Sequence, residues 1–127
     1  MAIDRGDSHY DDAGSWEKAC RHMALFLWWA FERGLGNNEV NEIDLVEMAK
    51  APTQTFITQC DTKLYNEDFN KEGQAFAADE YTAYLEAVTV RAGELAVSDY
   101  EIPESDETRK WFFDWLDKRL SIWRQRR

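Results

Sequence analysis

The sequence predicts an all-α fold, a single-domain bundle of about five helices around a Trp-rich core, and three observations carry that expectation. Apolar residues recur at helical spacing through most of the 127 residues, with no run that alternates as a half-buried strand would. Aromatics make up 14% of the chain, among them 6 Trp, too much apolar bulk for a disordered acidic polymer. The length is that of one domain with one sizeable core.

Residues 1–14, with several charges and two glycines, read as an N-terminal arm of a domain spanning 1–127. Ser15 is a good cap for the helix that follows, because its hydroxyl can accept one of the unpaired N–H groups of the first turn. Trp16, Cys20, Met23, Leu27, Ala30 and Phe31 then recur at helical spacing. The nine residues Met23 to Phe31 are apolar all round, so this helix should be contacted on several sides. Gly34 and Gly36-Asn37-Asn38 supply its stop and a turn. Asn41 is placed to cap a short helix carrying Ile43, Val46 and Met48, which Pro52 closes. Thr53 opens another, with Phe56, Ile57 and Cys60 on one side.

Residues 61–68 form a polar turn segment in which Asn66 can cap a brief helical turn, and Gly73 interrupts the pattern. A longer helix is expected from about Ala75 to Val90, striped by Phe76, Tyr81, Tyr84, Leu85 and Val88. Residues 92–104, with Gly93, Pro103 and four acidic side chains, read as a surface connection. Ser105 caps the last helix, and Asp106 and Glu107 complement its dipole. Its stripe is Trp111, Phe112, Trp115, Leu116, Leu120 and Trp123. Lys118, Arg119, Arg124, Arg126 and Arg127 gather at the far end.

Charge is divided unevenly. Residues 1–107 hold 8 Lys/Arg against 23 Asp/Glu, whereas residues 108–127 hold 7 against 2. The acidic body repels nucleic acid and anionic lipid and attracts basic proteins over long range. The basic end suits its helix dipole and follows a stripe needed for the core, so no nucleic-acid partner is expected. The polar, acidic N-terminus does not resemble a secretory leader, and the longest apolar run is about half of what spans a bilayer. A cytoplasmic location and no membrane partner are therefore expected. Cys20 and Cys60 are too few for a disulfide framework and read as reduced, buried thiols.

The residues assemble no recognisable catalytic set or cofactor motif. His9, His22 and Cys20 do not match the local spacings of zinc sites, so no metal is expected, and His22 reads as a half-buried, hydrogen-bonded structural residue. Asp11 and Asp12 read as supports for the N-terminus of the Trp16 helix. No phosphate-cradling glycine loop and no nucleophile elbow occurs. Asp61, Glu67, Asp68, Asp79 and Glu80 form the densest acidic stretch on ordered sequence. They lack the alternation and central glycine of a Ca²⁺ loop. With Tyr65 and Phe69 as aromatic neighbours they read as a docking face for a basic protein.

Four segments also carry a resemblance. The run from His22 to Leu35, HMALFLWWAFERGL, resembles the "HIGMFLAWAIERGL" element of an uncharacterised family of small bacterial proteins. That family opens on "YDDASWH", which residues 10–16 follow with one inserted glycine. Residues 60–68 resemble its "CDGKL…ED" element, and Gly73, Phe76 and Tyr81 fit the "EGNAF…YY" beyond it. Thr62 replaces a glycine of that pattern, and Glu17 stands where it has a second histidine. The resemblance implies a protein like those encoded beside polymorphic toxins: an immunity protein, not an enzyme, that neutralises a cognate protein toxin with a basic cleft. Asp61, Tyr65, Glu67, Asp68, Asp79 and Glu80 would make the contact, and the protein would be a monomer or weak homodimer. The alternatives are a small enzyme using Tyr10, Asp11, Asp12 and His22, and a non-catalytic adaptor that associates through exposed tryptophans.

Overall fold

A computed structural model describes residues 2–40 and 42–126. Among them are six α-helices and one two-stranded sheet, with an aromatic-rich core. The fold is mostly helical, as the periodicity requires. The chain divides into two compact units, one ending at Gln74 and the other beginning at Ala75.

The first unit is built round α2 (Trp16–Glu32). Ser15 caps it, accepting the Lys18 N–H at 3.2 Å. From Ala19 to Phe31 every residue but Arg21 is buried, and α1 (Gly6–Ala13), α3 (Leu45–Lys50) and α4 (Pro52–Cys60) pack against the helix. The expected all-round apolar helix is thus in place. Gly34 ends it at φ +73°, a conformation a Cβ would disfavour. Trp16, expected in the buried stripe, is 43% exposed.

The N-terminal residues differ from the expected arm. Ala2–Arg5 form β1, which pairs antiparallel with β2 (Lys63–Tyr65), placing Asp4 opposite Leu64. Residues 6–13 are α1, ended by Gly14 at φ +85°. Asp11 and Asp12 therefore lie within α1 and do not cap α2, whose orphan N–H is taken by Ser15. The sheet was not foreseen because two strands of three and four residues gain their stability from each other and not from a local pattern.

The Asn41 cap lies outside the described residues. Asp44 caps α3, accepting from Val46 and Glu47 at 3.0 and 3.1 Å. Pro52 opens α4 at its first turn, where a missing N–H costs nothing. After β2, Asn66–Asp68 make a single 3₁₀ turn with Tyr65 at its cap.

The longest helix, α5 (Lys71–Glu94), begins earlier and ends later than expected. Gly73 lies inside it, where an added Cβ would strike the Leu35 carbonyl. In the second unit, α6 (Asp106–Gln125) is capped by Ser105, which accepts the Thr108 N–H at 3.1 Å. Its stripe meets that of α5: Phe76 is edge-on to Trp123 at 5.5 Å and Tyr84 to Phe112 at 5.8 Å. Both cysteines are free thiols and buried. No helix among the described residues is long and apolar enough to cross a membrane.

Candidate functional site

Three elements of the first unit bring a carboxylate and two imidazoles together. Asp4 comes from β1, His9 from α1 and His22 from α2. His9 Nε2 is 2.7 Å from Asp4 Oδ1, and His22 Nε2 is 2.9 Å from Asp4 Oδ2. The two rings meet edge-on at 4.7 Å. Side-chain exposure is 8% for His22, 9% for Asp4 and 19% for His9, so only the His9 edge opens to solvent. The bond to Asp4 raises the His9 pKa above its ordinary 6.5. Burial opposes that shift, and the negative charges of Asp4 and Asp12 add to it.

Local structure explains the convergence. Gly6 N–H donates to the Thr62 carbonyl at 2.7 Å, holding the β1–α1 junction on the α4–β2 turn. A Cβ at Gly6 would lie 2.8 Å from Cys20 Sγ, so the missing side chain lets α1 settle on α2. Burial, aided by the negative charge of Asp4, pushes the Cys20 thiol up to about 12, keeping it protonated.

Beside this cluster lies an exposed surface. The Tyr10 and Trp16 rings pack at 4.6 Å, tilted by 38°, and are 39% and 43% exposed. Trp16, Asp7, Ile57, Asp61, Thr62 and Lys63 line a groove of about 410 Å³. Asp11, Asp12 and Glu17, on the same α1 and the first turn of α2, are also exposed.

The six residues singled out for docking fall into two groups. Asp61, Glu67 and Asp79 are exposed. Tyr65 is half-buried in β2, and Asp68 is buried, its Oδ2 accepting the Tyr65 N–H at 2.9 Å. In the second unit Glu80 is buried and ion-paired with Arg119, accepting its Nε–H at 2.9 Å. Asp79 accepts the Trp123 indole N–H at 2.8 Å. Of the residues weighed for catalysis, Tyr10 faces Trp16, Asp11 and Asp12 are exposed, and His22 is bonded to Asp4. His22 is thus hydrogen-bonded, as its apolar surroundings suggested, and buried where half-burial was expected.

Asp4 is the member of the cluster that sequence reasoning missed. It stands in a segment with no helical stripe, five positions from His9 and eighteen from His22, so no local spacing could signal it.

These features define a small, mostly helical protein with an aromatic-rich core and one polar His–Asp–His cluster near its N-terminus. The chain belongs to the family of the domain of unknown function DUF7832, whose model matches residues 2–119. No curated protein and no solved structure matches the chain.

Proposed function

We propose that this protein is an immunity-type inhibitor: a non-enzymatic domain that binds a basic protein toxin and blocks it. The observation that carries the reading is the exposed Tyr10–Trp16 pair, beside a groove and among Asp7, Asp11, Glu17 and Asp61. Exposed aromatic rings next to a groove are the kind of residue that supplies most of an interface's energy. The acids speed encounter with a cationic cleft, and the rings hold the complex once formed. The net charge of −10 works in the same direction at longer range.

Asp61 remains from the acidic stretch as a contact, with Glu67 as a second exposed acid of the same unit. Asp68, Asp79 and Glu80 hold the fold through the bonds given above, and we assign them no contact.

The test is capture of a basic protein partner from the native host or from the product of the neighbouring reading frame, followed by calorimetry and by association kinetics. Trp16→Ala should weaken the complex by about 2 kcal/mol or more, roughly thirtyfold, through faster dissociation. The triple reversal Asp7→Lys, Asp11→Lys, Asp61→Lys should slow association and flatten its salt dependence. A complex indifferent to both variants would remove this surface from the interface. The absence of any complex would remove the inhibitor reading itself.

A further inference from the structure

We propose that Asp4, His9 and His22 bind a divalent transition-metal ion of the zinc type, leaving one coordination position for water. The donor atoms of the three side chains lie within 4.8 Å of one another. Two imidazoles with one carboxylate suit borderline ions, whereas Ca²⁺ and Mg²⁺ call for oxygen donors.

The distances support this. Donors bound about 2.0–2.2 Å from one ion lie about 3 Å apart at a right angle and about 3.4 Å apart at a tetrahedral angle. The two Asp–His separations, 2.7 and 2.9 Å, need to open by tenths of an ångström, and the two imidazole nitrogens, within 4.8 Å of each other, come to about 3.4 Å by a turn of the more exposed His9 ring. Both histidines already turn Nε2 towards the same carboxylate, the orientation in which an ion between them would replace the two hydrogen bonds.

The scaffold is suited to hold such a site. Asp4 is fixed by the β1–β2 ladder and His22 by the most buried helix of the unit. Sites on regular elements keep donor geometry better than sites on loops. Asp12, three residues beyond His9 on α1, adds negative charge that reaches His9 and favours a cation there. His9, the most exposed of the three at 19%, gives the ion its route from solvent. With three protein donors the fourth position is open, the pattern of a site that binds or activates a small ligand rather than a closed structural one.

This inference does not depend on the docking surface and is tested on the protein alone. Tagless protein, stripped with chelator and dialysed, is titrated with Zn²⁺ by calorimetry and with Co²⁺ by visible absorption. The expected result is saturable binding of one ion per chain and an upward shift of the thermal midpoint with Zn²⁺. His9→Gln and Asp4→Asn should each weaken binding by about 100-fold, at or beyond the range of second-shell losses, and abolish the shift. His9 lies at the rim, so its variant keeps the comparison interpretable where a change at buried His22 would disturb folding. Absence of saturable binding, or binding that survives both variants, overturns the site and leaves the cluster a hydrogen-bonded clamp.

Discussion

Thr62 stands at φ +61° directly after Asp61 at φ +50°, two consecutive non-glycine residues in the left-handed region. Asp tolerates that region, but a β-branched side chain there brings its Cβ against the backbone, at roughly 1–2 kcal/mol. The turn persists because both ends are fixed: Gly6 donates to the Thr62 carbonyl, and β2 starts at Lys63 to pair with β1. The resemblance noted above has glycine at this position. Thr62→Gly should therefore stabilise the fold by about 0.5–1 kcal/mol, the steric relief outweighing the added entropy of the unfolded chain. A urea titration of the two proteins reads this directly, and a lower midpoint for the glycine variant would show that Thr62 contributes packing that exceeds its strain.

At the scale of elements, helices with a cap, a stripe and a stop were legible. Ser15 and Ser105 cap as their positions suggested, and α2 and α6 bury the apolar faces their spacing marks. What could not be read depends on partners distant in sequence. Strand β1 exists through pairing with residues some sixty positions away, and α1 begins at a glycine without a side-chain cap. Gly73 looks like a breaker, yet it admits the Leu35 backbone against α5. The α5–α6 pair gives the same lesson for charge, because Glu80 belongs to a run that reads as an acidic docking face but is buried against Arg119. Arg119 itself stacks over Trp115 at 5.4 Å. Glu80→Gln should thus lower stability by about 1–3 kcal/mol, the cost of a weakened buried charge pair discounted for the exposure of Arg119. Binding of the proposed basic partner, per folded molecule, should stay unchanged. A variant of native stability that binds the basic partner more weakly would return Glu80 to the interface.

On the scale of the whole molecule, net charge and site pull apart what sequence alone merges. The acidic excess was plain from composition, whereas the Asp4–His9–His22 cluster was not, since it spans three elements and only folding closes it. Charge of −10 on 127 residues also acts on the fold itself, because like charges on a compact surface repel. Ion pairs such as the buried Glu80 with Arg119, and Arg91 with the exposed Glu94 and Glu107, offset part of that repulsion. They are too few to offset it all: acids outnumber bases 25 to 15. Salt should consequently act with opposite signs on two measurements. Raising NaCl from about 10 mM to about 150 mM shortens the screening length from roughly 30 Å to 8 Å. Self-repulsion then falls, and stability should rise by a few tenths to about 1 kcal/mol. Over the same range, association with a basic partner should slow, because steering is screened as well. Stability is read from denaturant midpoints and association by stopped flow. Stability that falls with salt would mean that attractive pairs outweigh the acidic excess, and an association rate indifferent to salt would place the partner's contact away from the charged rim around Trp16.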